Sequence, residues 1–247
     1  MESVSVLFGL YAGDAQGFIA TGELGSPLPT GWMVTAAKYE VDWPTDPERA
    51  CLVRSHFGAR RKAFNWGLGQ VKADMDAKEL DPGHASVDWT QAALRKVWNQ
   101  VKGEVAPWWA DNSKEAYSTG LADLEAALTN WQASKTGKRK GRKVGFPRFK
   151  SAHRDPGRVR FTIGAMRLEH DRRTIVLPVI GGLRSKENTR RVQRHLVSGR
   201  ARILNMTLSE RWGRLCVSVN YALRIQPPRA RLLSSRCARE WIWACGP

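Results

Sequence analysis

A chain of 247 residues is long enough for one large domain or two small ones, and its 42% hydrophobic content can fill a packed core, which excludes global disorder. The net charge of +17 points to a polyanionic partner, because each Lys or Arg that neutralises a phosphate releases a counterion. An anionic membrane surface would need a basic amphipathic helix or a lipid signal; neither is evident, and no apolar run reaches the roughly 18 residues of a membrane span.

The charge is unevenly spread. Residues 1–32 hold three acids (Glu2, Asp14, Glu23) and no Lys or Arg, so residues 33–247 carry +20. This leader is rich in Gly and small residues and lacks the basic start and apolar run of a signal peptide. It reads as translation from a start placed upstream of Met33, which composition favours, or as a disordered leader. Val34 to Trp43 alternates as a strand and ends at Pro44. Thr45 or Asp46 can cap a helix with Pro47 at its first position. Up to about Lys78, the residues Phe57, Phe64, Leu68, Val71 and Met75 form one helical face, while Gly58, Gly67 and Gly69 leave open two helices with a break. Leu80–Ala85 reads as a turn. The spacing predicts a second helix over Asp88–Lys102, with Leu94, Val97, Trp98 and Val101 inward. A third runs from a cap at Asn112 or Ser113 to Ser134, with Tyr117, Leu121, Leu124, Leu128 and Trp131 as its stripe. Three such helices suggest a small bundle.

At Lys135 the character changes. Lys135–Lys150 reads KTGKRKGRKVGFPRFK, with eight basic residues and no acid. Short strands follow over Val159–Ile163, Met166–His170, Thr174–Pro178 and Leu183–Arg184. Ala201–Ser209 and Leu215–Leu223 then make a hairpin across Glu210–Arg214, with one buried face. Several short strands between turns predict a small β-barrel or half-barrel, and the fold class is α+β. Arg224–Pro247 shows neither period and reads as an aberrant tail.

The basic run is the strongest functional feature. A loop of this composition can follow a phosphate backbone, so Lys138, Arg139, Lys140, Arg142, Lys143, Arg148 and Lys150 are candidate nucleic-acid contacts. Phe146 and Phe149 could stack on bases, but anchoring the loop to the core is the stronger reading. Other chemistry finds little support. Cys51, Cys216, Cys237 and Cys245 make no C-x-x-C pair and read as free thiols of a cytoplasmic protein. His56, His84, His153, His170 and His195 lack metal-ligand spacing, and no phosphate-binding glycine loop occurs, so neither metal nor cofactor is expected. Asp74 and Asp76 read as a solvated helix face.

Five segments, in order over about residues 34–223, resemble the TnpB (OrfB-type) transposon-encoded family. Gly145-Phe146-Pro147-Arg148-Phe149-Lys150 is similar to the family's G-x-P-R-F-K signature. Arg60–Trp66 resembles its R-x-x-[YF]-N segment, and Leu121–Ala127 followed by Trp131 resembles its L-x-x-L-x-x-A helix. Val176–Gly181 and the Ile203–Val219 hairpin resemble two later family steps. The resemblance implies an oligonucleotide-binding-like wedge barrel, interrupted after its first strand by a helical, helix-turn-helix-like recognition insert. It implies binding of a guide RNA and of duplex DNA beside the target, where base pairing reads sequence and the protein reads a short flanking motif. By motif order, Lys114, Ser118 and Trp89 fall where such flanking contacts occur.

The expected divisions are a leader over 1–32, the first barrel strand over 33–45, the helical insert over 46–134, basic linker and barrel over 135–223, and the tail. The family's first nuclease ligand, the Asp of a D-x-G motif, has no counterpart where this chain reads Ile225–Leu232. No Asp follows Asp171, and the later acids are Glu187, Glu210 and Glu240. The expectation is therefore a truncated copy that binds nucleic acid without a nuclease of its own. A helix-turn-helix regulator is the alternative, although it would not need residues 159–223.

Overall fold

The structure, a computed structural model, describes residues 30–225 apart from 82, 87 and 163–165, together with a short strand at 18–19. In chain order the elements are β1 (Phe18–Ile19), β2 (Trp32–Val41), α1 (Pro47–Leu80), α2 (Gln91–Val105), a 3-10 turn (Trp109–Asp111) and α3 (Lys114–Lys135). Then come β3 (Arg158–Phe161), β4 (Arg167–Leu168), β5 (Thr174–Leu177), β6 (Gly181–Arg184), α4 (Arg190–Val197), β7 (Ala201–Arg211) and β8 (Arg214–Arg224). The fold is α+β, with helices after the first long strand. β2 takes in Trp32, one residue more than the sequence assigned outside the leader, and β1, which lies in that leader, pairs with β4.

Local signals start the helices. The Asp46 side chain accepts from the Glu48 amide at 3.0 Å, Thr90 caps α2 and Ser113 caps α3. α1 runs unbroken through its glycines for 34 residues. These glycines are not all helix breakers, because one of them is a contact point. A methyl group at Gly67 would stand 2.7 Å from Leu124, and one at α3's Gly120 would collide with the Arg60 carbonyl oxygen. The two helices therefore touch along small residues and bury Ala63, Phe64, Leu68, Leu121 and Leu124 between them. Trp98 of α2 completes the bundle, 5.2 Å from the rings of both Trp66 and Tyr117.

Two inward assignments and one outward assignment were wrong in detail. Met75 is 38% exposed while Asp74 turns inward, pairing with Lys78 at 3.6 Å and His84 at 3.2 Å. Asp74 is thus no solvated-face residue, because the inner stripe of α1 passes through 71 and 74. Val97 is 43% exposed, since α2 buries only Leu94 and Trp98 fully.

The strands form two antiparallel four-stranded sheets, ordered β1-β4-β5-β6 and β2-β8-β7-β3. They do not close into the expected barrel among the described residues. They meet at one corner, where Val41 bridges Ser185 and the Asp42 amide donates to the Arg184 carbonyl at 2.8 Å. The alternation expected along β7 is also interrupted. Ile203 pairs with Tyr221 but Asn205 with Asn220, so Leu204 is an extra residue and Ile203, Met206 and Leu208 are all buried. The helices cover the outer strand of the second sheet. Thr119 Oγ1 of α3 lies 3.1 Å from both the amide and the carbonyl of Arg160, occupying the free backbone of β3.

Candidate nucleic-acid interface

Asn65 fixes the Gly145–Lys150 segment. Its Nδ2 donates to the Lys150 carbonyl at 2.9 Å, and its Oδ1 accepts from the Lys150 amide at 2.8 Å. An extended stretch without sheet partners is thereby docked on α1. Beneath it lies Arg60, only 4% exposed. Its Nε and Nη2 both donate to Asp123 Oδ2, at 2.7 and 2.6 Å, and its Nη1 reaches Asp155 at 2.6 Å. Lys150 Nζ joins the same carboxylates, 3.3 Å from Asp155 and 3.7 Å from Asp123, over the Phe64 ring at 4.2 Å. Arg158 closes the group on Asp123.

Burial works against the Asp123 carboxylate, but the charges of Arg60, Arg158 and Lys150 outweigh it and hold the group below its ordinary value. Burial, with the Arg60 charge, pulls the Lys150 ammonium below its own ordinary value despite its two aspartates. Lys150 is therefore a half-buried lysine whose ammonium is paired with Asp155 and Asp123. Nearby Arg148 is exposed and lines a cleft of about 460 Å³ together with Arg60, Phe64, Pro147 and Arg158.

The basic loop springs from this anchor. The Val144 amide donates to Ser134 Oγ at 2.9 Å, and Phe146 packs edge-on to Trp131 at 5.0 Å, so both ends of the loop are tied to the last turns of α3. Between them Lys138, Arg139, Lys140, Arg142 and Lys143 are all exposed. None forms an ion pair among the described residues. Phe146 is half-buried, as core anchoring requires, but Phe149 is 55% exposed beneath Lys72, whose Nζ lies 4.6 Å from its ring centroid.

Lys114 and Ser118 do share a face of α3, and Ser118 is tied to α2: Gln91 Nε2 donates to its Oγ at 2.9 Å. Lys114 is exposed, whereas Trp89 is half-buried against the core. These three residues lie around the starts of α2 and α3, apart in sequence from the basic loop at the far end of α3.

No family model matches the chain. The chain is, however, 47% identical over 217 residues to proteins from two strains of Mycobacterium tuberculosis, each bearing the name "Putative RNA-guided DNA endonuclease". The match covers 85% of this chain and 46% of each relative, so the chain spans about half the length of the curated relatives it matches. Over the shared segment the chain is similar to these proteins, which supports the resemblance of its motifs to the TnpB type.

In this chain, two motifs that the sequence showed separately are one structural unit. The Arg60–Asn65 segment supplies the side chains that hold Lys150 of the Gly145–Lys150 segment, 85 residues away. Sequence reasoning missed α4 entirely. Its Arg190, Arg191 and Arg194 are exposed, and none forms an ion pair among the described residues. The available signal was the RRVQR string, with Val192 alone turned fully inward as an apolar residue. His56, read as surface or core, is core: it is fully buried, its Nδ1 lies 2.8 Å from the Leu52 carbonyl, and its Nε2 accepts from the Ser113 amide at 3.0 Å. Cys51 is exposed and Cys216 half-buried, both as free thiols, while Cys237, Cys245 and Glu240 lie outside the described residues. Among the described residues no group of three or more His, Cys, Asp or Glu side chains could hold a metal, and no helix is long and apolar enough to cross a membrane.

Proposed function

We propose that this chain grips a structured guide RNA and the duplex DNA beside the RNA's target, as part of RNA-guided DNA targeting. The observation that carries this reading is the 47% identity over 217 residues to proteins named for RNA-guided DNA cleavage. The exposed, unpaired loop Lys138–Lys143 supports it, because a row of uncompensated cations on a braced loop suits a phosphate backbone. Arg148 extends that row, and Lys114, Ser118 and Trp89 are assigned to the flanking duplex. Lys150 is assigned to positioning, since its charge is spent on Asp123 and Asp155.

The reading gives residues 30–225 a role in binding and none in hydrolysis. Two-metal hydrolysis needs carboxylates converging on paired ions about 3.5–4 Å apart. Here Asp123 and Asp155 are neutralised by Arg60, Lys150 and Arg158, and Glu115 accepts from Thr162 at 2.7 Å.

The test is binding of the full chain to its element's RNA over a range of salt. The expected result is a steep linear fall of log K with log salt. Replacing Lys138, Arg139, Lys140, Arg142 and Lys143 together by Ala should flatten that slope by up to about 4 units, with unchanged melting. Binding insensitive to salt, or a variant that binds like the parent, refutes the assignment.

A further inference from the structure

The β7–β8 hairpin turns on Trp212 and Gly213, whose φ angles are 55° and 75°. A two-residue turn with both positions left-handed favours Asn-Gly or Asp-Gly. A bulky aromatic residue is disfavoured at the first position, because its Cβ crowds the following carbonyl oxygen. Trp212 gains no burial in exchange, since it is 88% exposed. The sequence thus accepts backbone strain to hold an indole in solvent.

The tip is also braced. Trp43 Nε1 donates to the Gly213 carbonyl at 2.9 Å, and the Arg54 guanidinium of α1 lies 5.0 Å from the Trp43 ring centroid. Arg211 lies 5.9 Å from the Trp212 ring centroid, and Arg214 pairs across the hairpin from Arg211. Both arginines are exposed, and neither forms an ion pair among the described residues. Nearby Glu40 is already paired with Lys186 at 2.6 Å. A protein-docking residue would be expected to sit among other apolar side chains, and here its neighbours in the turn are two arginines and a glycine.

We infer that Trp212 is a stacking platform for an unpaired nucleobase, with Arg211 and Arg214 receiving the phosphates on either side. An aromatic face accepts any base, and guanidinium groups match phosphate geometry. The inference rests on the nucleic-acid reading above and deepens it, by assigning the hairpin tip to a single-stranded part of the bound RNA.

The experiment uses the full chain, W212N and W212F, each with a short oligoadenylate and with an abasic oligonucleotide of equal length and charge. Asn tolerates the left-handed conformation, so W212N should melt at or above the parent temperature. It should bind oligoadenylate about tenfold more weakly, yet bind the abasic strand as the parent does. W212F should recover most of the loss. The inference is overturned if W212N binds oligoadenylate like the parent, or if it loses both strands equally. Should the loop variant lose RNA while W212N keeps oligoadenylate, only the Trp212 assignment falls. A parent chain that binds neither strand nor its element's RNA sinks the underlying reading as well.

Discussion

His56 shows what one buried polar side chain contributes. It joins α1 to the cap of α3 by accepting from the Ser113 amide, which requires a neutral ring with its proton on Nδ1 facing Leu52. Burial pushes its pKa below the ordinary 6.5, although the Leu52 bond works the other way. Between the two values the unfolded chain binds more protons than the folded one, so stability rises with pH. The contribution is present above the unfolded value and is lost as pH falls through the folded one. His195 is shifted the same way, by burial and then by Arg200, Arg191 and Arg194, so the comparison must isolate His56. H56Q should melt lower than the parent near neutrality and lose less of its melting temperature on going from about pH 7.5 to about pH 5. Parallel melting curves for the two proteins across that range would show that the ring does not titrate with folding. The sequence offered His56 as one of five histidines without a pattern. Its role depends on a residue 57 positions away, and no local period encodes that. The same holds for Asn65 and Lys150: both motifs were visible, but their reciprocal bonding was not.

At the scale of elements, the sequence was most legible where one helical face carries the burial. The stripe of α3 is buried at Tyr117, Leu121, Leu124 and Leu128, as its spacing indicated. Glycine was misleading, because propensity treats all glycines in a helix alike while packing does not. Gly120 and Gly69 make the contrast testable. A methyl group on Gly120 would collide with the Arg60 carbonyl oxygen and stand 3.1 Å from the Phe64 amide nitrogen, whereas one on Gly69 would meet nothing within 4 Å. G120A should therefore destabilise the fold by about 1–3 kcal/mol or more, since backbone cannot yield as a side chain does. G69A should be neutral or stabilising by up to roughly 1 kcal/mol, the helix-propensity difference. Urea midpoints measure both. Equal effects of the two substitutions would mean that α1 and α3 do not approach as closely as the structure shows. α4 was illegible for a different reason. It has 8 residues with four basic side chains, too short for a periodicity and too polar to signal burial.

Across the whole molecule, the barrel expectation failed because strand count does not determine closure. Short alternating segments fit either a closed barrel or two sheets sharing a corner, and the long β2, β7 and β8 pair mainly with one another. This arrangement bears on how the charge of +17 is used. One cationic site, Lys138–Lys143, is tied to the end of α3, and a second, Arg190–Arg194, rides on α4 against β7. They stand on different elements and share no ion pair or hydrogen bond among the described residues, so their contributions to binding one RNA should be separable. Replacing Arg190, Arg191 and Arg194 by Gln keeps helix propensity and removes three charges. If a bound RNA spans both sites, each variant should flatten the salt dependence, and the combined variant should lose the sum of the two losses within about 0.5 kcal/mol. The slope should fall by roughly 0.7–0.9 for each phosphate contact removed, so the α4 variant should change it by at most about 3. An α4 variant with unchanged slope would confine the RNA to the α3 side of the molecule. A combined loss far below the sum would mean that the two sites compete for the same stretch of backbone.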